Sequence, residues 1–126
     1  MSDLDGPHLD PLTSPFWEAT SDHRLVIQRC DGCGAHQFPP RPYCLHCLGP
    51  VAWVEASGSG TLYSKTTIRI PIGGDVEPPY AVGLVELDEG PRLLGRVVET
   101  CAIGDRVAIR WRARPDAPPY PDWGAT

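Results

Sequence analysis

Three features of the sequence predict a mainly β fold, built as a short N-terminal helix, a metal-clamped ribbon and a small barrel. The first is composition. The 126 residues include 13 Gly and 15 Pro but only two Phe and one Met, which disfavours long helices and favours short strands joined by turns. The second is a pair of C-x-x-C motifs, Cys30-Asp31-Gly32-Cys33 and Cys44-Leu45-His46-Cys47, ten residues apart. Each bends a short loop so that two sulfurs converge, and two facing loops offer four thiolates in a tetrahedron. The third is the period-two alternation of apolar and polar residues that begins at Val51.

Residues 1–23 read as a flexible arm followed by a short helix. Ser14 suits the N-cap, Pro15 the first helical position and Glu18 the first turn. Two turns would end near His23. Phe16 and Trp17 on so short a helix either pack on the chain's own sheet or form a docking surface for a partner. Residues 24–50 read as the ribbon. A unit of about 27 residues cannot bury enough apolar area to fold alone, so metal at Cys30, Cys33, Cys44 and Cys47 must supply the difference. Ligand softness allows zinc or iron and favours neither outright; the closed four-thiolate set reads as structural Zn²⁺. Gly34 and Gly49 stand where the knuckle turns call for positive φ. His36 and His46 are spectators on this reading, because four sulfurs already saturate the ion.

Residues 51–114 read as five strands. They are Val51–Glu55, 61–70, Tyr80–Leu87, 92–99 and 106–114. Along 61–70, Leu62, Thr66, Ile68 and Ile70 fall on one face, with Tyr63, Lys65 and Arg69 on the other. Gly83 and Gly95 sit mid-strand, where a bulge or a tight coil is expected. Five short, strongly coiled strands suit a Greek-key barrel of the OB type, which closes most of its edges; an SH3-like barrel is the alternative. Residues 115–126 hold four prolines with Tyr120 and Trp123, and read as an extended Pro-rich tail.

The formal charge is −5, or about −7 with four thiolates and one Zn²⁺. That balance counts against a general nucleic-acid binder. No apolar run long enough to span a membrane is present. The acidic start lacks the regions of a signal peptide, so the cysteines read as cytosolic thiolates rather than disulfides. On 106–114, Arg106, Arg110, Arg112 and Arg114 share one face. That face would meet phosphates or an acidic partner, or simply pair with acids such as Glu86 and Glu99. Nothing resembles a nucleophile elbow, a phosphate-binding Gly loop or a paired acid and base. Cys101 reads as a small apolar filler.

Taken in order, the Phe16-Trp17 helix, the two knuckles, Trp53, Ser57-Gly58-Ser59-Gly60-Thr61-Leu62-Tyr63-Ser64, Pro79-Tyr80-Ala81-Val82 and Leu87-Asp88-Glu89-Gly90 resemble one family. It is the acyl-CoA-associated family that joins a rubredoxin-like zinc ribbon to an OB-fold, and the resemblance spans roughly residues 15–112. It implies one structural Zn²⁺ and a non-catalytic small subunit. The implied partner is a thiolase-like large subunit, in a heterotetramer acting on an acyl-CoA thioester in the cytoplasm. Thiolases and the aldolases that cleave steroid side-chain CoA thioesters are the implied reactions. Candidate contacts for the partner or for CoA are Phe16, Trp17, Tyr80, Arg110, Arg112, Arg114, Tyr120 and Trp123. The other readings of the same domains are a nucleic-acid-binding zinc-ribbon/OB module and rubredoxin-type electron transfer.

Overall fold

The computed structural model of the chain describes residues 10–71 and 77–126. Among the described residues, one helix, α1 (Ser14–Ser21), precedes eight strands: β1 (Val26–Cys30), β2 (His36–Gln37), β3 (Val51–Glu55), β4 (Ser59–Ile68), β5 (Tyr80–Leu87), β6 (Arg92–Val97), β7 (Arg106–Arg114) and β8 (Ala117–Ala125). Most of the N-terminal arm and residues 72–76 of the loop before Tyr80 lie outside the described residues.

Thr13, rather than Ser14, is the N-cap of α1. Ser14 is its first helical residue, and the Ser14 hydroxyl donates to the Asp10 carbonyl at 2.8 Å. Pro15 keeps its place in the first turn, where a missing N–H costs nothing, but Glu18 falls beyond that turn. The helix ends at Asp22, and His23 at φ 56° turns the chain into β1. Phe16 and Trp17 are 5% and 7% exposed. Phe16 meets Phe38 of the ribbon at 5.4 Å between ring centroids, while Trp17 meets Tyr120 of the barrel edge-on at 5.2 Å. Of the two readings of this helix, self-packing holds: it docks on its own chain and ties ribbon to barrel.

The ribbon is a three-stranded sheet in the order β2-β1-β3. Val51–Glu55 therefore belongs to it and not to the barrel. The register runs from Val26 opposite Glu55 to Cys30 opposite Val51. β1 is buried at four of its five positions and β2 offers only two residues, so β3 must satisfy most of its backbone groups. Gly58, at φ 79°, turns the chain out of this sheet into β4.

The barrel closes in the order β4-β5-β6-β8-β7, with β7 pairing back onto β4. Its one parallel seam joins β6 to β8 at Val97 and Trp123. This is OB topology, and its fifth strand is the segment that read as a Pro-rich tail. Without β8, β6 and β7 would each present an open edge. Pro119 and Pro121 lie on the side that Trp123 turns to β6, where a single register pair is made, and Pro118 lies at the register shift between Arg112 and Arg114 of β7. Trp123 is fully buried inside the barrel.

A bulge between Leu62 and Ser64 changes the facing of β4. Leu62 lies opposite the buried Val85, but beyond the bulge it is Lys65 and Thr67 that oppose the buried Gly83 and Ala81. Thr66 is exposed, not interior, because one extra residue reverses the alternation. The Lys65 ammonium donates to the carbonyls of Glu99 and Cys101 at 2.7 and 2.8 Å and closes one barrel end. Cys101 is buried in the core.

Gly83 and Gly95 face each other across β5 and β6. Gly95 leaves the interior space in which the Trp123 indole lies, and Gly83 allows the close approach of the Ser64 carbonyl and the Leu62 side chain. A Cβ on Gly95 would stand 2.9 Å from the indole nitrogen, and an indole with no exposed surface has nowhere to shift. Gly95→Ala is expected to destabilise the protein by roughly 1–3 kcal/mol, the usual cost of overpacking. A denaturant midpoint equal to that of the parent would show that the indole has room to move.

Candidate metal centre and arginine face

Cys30 ends β1, and each C-x-x-C loop wraps its first sulfur with backbone donors. The N–H groups of Gly32 and Cys33 point at Cys30 Sγ at 3.3 and 3.4 Å; those of His46 and Cys47 point at Cys44 Sγ at the same distances. The two knuckles match in their closing bonds as well. Gly34 N–H donates to the Cys30 carbonyl and Leu48 N–H to the Cys44 carbonyl. Gly34 has φ 78°, as its position requires, but in the second knuckle the left-handed residue is Leu48, at φ 67°, and not Gly49. Gly49 serves close approach instead, since a Cβ there would lie 3.4 Å from Cys47 Sγ. The buried Gln28 amide holds the intervening loop by accepting from Arg41 N–H at 2.8 Å and donating to the Arg41 carbonyl at 2.9 Å.

The four sulfurs all lie within 4.8 Å of one another; Cys30 and Cys47 are 3.4 Å apart, Cys33 and Cys44 3.7 Å. A tetrahedral zinc with bonds of about 2.3 Å sets its sulfurs about 3.8 Å apart, so the donor set fits one structural zinc ion. Neither His36 nor His46 belongs to the cluster. In the metal-free chain the Cys33 N–H, with the Cys47 thiol and the Gly32 N–H, draws the Cys30 thiol down to about 6 against its burial. Cys44 is lowered chiefly by the Cys47 N–H. The Gly49 N–H acts on Cys47 in the same direction, but the Cys30 thiol, burial and the other two thiols push it up to about 11. Negative charge thus settles first on Cys30 and Cys44, ahead of Cys47. A divalent cation held by the four sulfurs would favour the charged form of each.

The arginine stripe of β7 does not present a uniform free face. Arg106 makes a two-pronged bond to Asp88 at 2.8 and 3.0 Å. Its guanidinium, first by hydrogen bonding, holds the Asp88 carboxyl below its ordinary value. The β7 partners are Asp88 and Asp122, not Glu86 or Glu99; Glu86 is taken by Arg92 at 3.2 Å. Arg112 Nε donates to Asp122 at 2.8 Å. Arg114 donates to the Pro118 carbonyl at 2.8 Å and lies over the Tyr120 ring, 4.3 Å from its centroid, and 5.4 Å from the centroid of the Trp17 ring that meets Tyr120 edge-on. Arg110 is exposed and donates to the Ala125 carbonyl at 3.0 Å.

The remaining candidate contacts therefore divide. Phe16, Trp17 and Trp123, named as candidate contacts for a partner or for CoA, are interior in this chain. Tyr120 is half-buried, in contact with both Trp17 and Arg114. Tyr80 is half-buried at the start of β5, opposite Ile68. Arg96 and Asp122 join the arginine face by pairing at 3.1 Å across the β6–β8 seam. Nothing local in the sequence brought them to it, because β8 was read as a tail. Among the described residues, no helix is long and apolar enough to cross a membrane.

Residues 17–53 match the family model described as ChsH2, rubredoxin-like zinc ribbon domain, and residues 53–112 match ChsH2, C-terminal OB-fold domain. A "Probable enoyl-CoA hydratase alpha subunit" of Thermomonospora curvata is 44% identical over 103 residues, covering 76% of this chain and 32% of the relative. The "3-oxo-4,17-pregnadiene-20-carboxyl-CoA hydratase alpha subunit" of Mycobacterium tuberculosis is 36% identical over 113 residues, covering 88% and 35%. The chain thus spans about a third of the length of these two curated relatives. A solved structure, "Ltp2-ChsH2(DUF35) aldolase", superposes with a TM-score of 0.85 at 35% identity, covering 94% of this chain and 98% of the matched one.

Proposed function

The chain belongs to the ChsH2 family of joined rubredoxin-like zinc-ribbon and OB-fold domains, and from that membership we propose that it is the non-catalytic small subunit of a thiolase-superfamily enzyme. The reaction is a thiolase or retro-aldolase step on an acyl-CoA, with a steroid-derived acyl group as the favoured substrate. The large subunit carries the reacting groups. This chain supports its assembly, in a heterotetramer, and the handling of the CoA thioester. One structural Zn²⁺ held by Cys30, Cys33, Cys44 and Cys47 clamps the ribbon, and four sulfurs leave that ion no open position for chemistry.

The observation that carries this reading is the near full-length likeness to the chain of the Ltp2-ChsH2(DUF35) aldolase. The steroid-type CoA thioester of the mycobacterial relative supports the choice of acyl group. Co-expression with a thiolase-like protein tests it. The two chains are expected to elute together at fixed stoichiometry, and the large chain alone is expected to be poorly soluble or inactive. A large chain equally soluble and active by itself overturns the proposal.

A further inference from the structure

Where β6, β8 and β7 lie side by side, a groove of about 250 Å³ opens on the barrel surface. Arg96, Arg110, Arg112 and Asp122 line it together with Val98 and Trp111. Three of the chain's 11 basic residues thus meet one acid, in a protein whose formal charge is −5. The Asp122 side chain is 9% exposed, and its Oδ2 accepts from both Arg96 Nη1 at 3.1 Å and Arg112 Nε at 2.8 Å. A carboxylate bonded twice in this way holds two guanidinium planes in place before any ligand arrives, which lowers the ordering cost of binding.

Arg110 is oriented separately. It donates to the Ala125 carbonyl at 3.0 Å, and its stem lies against Gly124, where a Cβ would overlap the guanidinium nitrogen Nε. Only glycine leaves that space. Pairing on Asp122 accounts for Arg96 and Arg112 as a brace across the thin β6–β8 seam. It does not account for Arg110, exposed and steered over a glycine notch beside them.

We infer that this groove binds the phosphomonoester end of a small phosphorylated molecule that also carries an apolar or aromatic body. The groove has two positive charges in excess, which match a phosphomonoester near −2 better than a single carboxylate. Guanidinium forks suit phosphate oxygens. Val98, 40% exposed, offers apolar surface beside them, while the Trp111 ring is stacked on His23. CoA ends in such a phosphate, so the inference deepens the acyl-CoA reading and rests on it for the natural ligand. Its test needs no partner subunit and fails independently of co-elution.

The zinc-loaded full chain is titrated calorimetrically at low salt with adenosine 3′,5′-bisphosphate, inorganic phosphate and a single-stranded oligonucleotide. Saturable binding of the bisphosphate is expected, tighter than that of inorganic phosphate. Arg110→Gln, at an exposed site, is expected to weaken it roughly tenfold or more, as for loss of a charge-assisted bond. Gly124→Ala keeps every charge and displaces Arg110, so it should weaken binding as well. Arg92→Gln on the same strand as Arg96, but paired with Glu86, should leave affinity within about twofold. The inference is overturned by absence of bisphosphate binding, by equal losses in Arg92→Gln and Arg110→Gln, or by tighter, Arg110-dependent binding of the oligonucleotide.

Discussion

A chain ended at Arg114 should lose cooperative unfolding altogether. The missing residues carry β8, which pairs with β7 from Val107 to Arg114 and meets β6 at Val97. Their removal opens the barrel and leaves two unpaired edges. It also takes away Trp123, which is fully buried, and the Asp122 carboxylate that accepts from Arg96 and Arg112. The indole alone is worth about 3–5 kcal/mol as Trp123→Ala, against total stabilities of about 5–15 kcal/mol for ordinary domains. Near-ultraviolet circular dichroism during thermal melting reads both variants. A truncated chain that melts cooperatively at the parental midpoint would return residues 115–126 to the status of a tail.

Cys44→Ser should release the zinc and melt the ribbon while the barrel persists. Cys44 is buried at the head of the second knuckle and receives two backbone N–H groups. Structural zinc contributes apparent binding free energies of about 10–16 kcal/mol in small zinc-dependent folds, far more than three strands of five, two and five residues can supply. Metal analysis is expected to give well under one zinc per chain. Amide exchange should show protection lost across residues 26–55 and retained in β4 to β8. Phe16 would lose its partner Phe38, so α1 should loosen from the ribbon side first. A variant that keeps its zinc and its full amide protection would remove Cys44 from the ligand set.

The metal centre was legible because its information is local. Two residues between paired cysteines, and a turn at Gly34, bring sulfurs together whatever the rest of the chain does. The turns at Gly90 and Gly104 are local in the same way, and both glycines take the positive φ that glycine allows. Barrel class followed from five alternating segments. Which five was not readable. Val51–Glu55 alternates well enough for a barrel strand but is claimed by β1, whose buried backbone has no other long partner. Residues 117–125 have the prolines of a loop but are held in the barrel by Trp123 and by the edges of β7 and β6.

The same limit governs the side chains. A single bulge at Tyr63 reverses the facing of every later residue on β4, and no local signal marks it. Phe16 and Trp17 looked the same whether they met a partner or their own fold, because apolar rings carry no address. The arginines of β7 read either as a phosphate-binding face or as partners of nearby acids, and that the acids are Asp88 and Asp122 depends on other strands. Spacing within a few residues is settled by covalent geometry. Pairing across 18 or 26 positions, as for Arg106 with Asp88 or Arg96 with Asp122, depends on which strands close the barrel, and only the folded chain contains that choice.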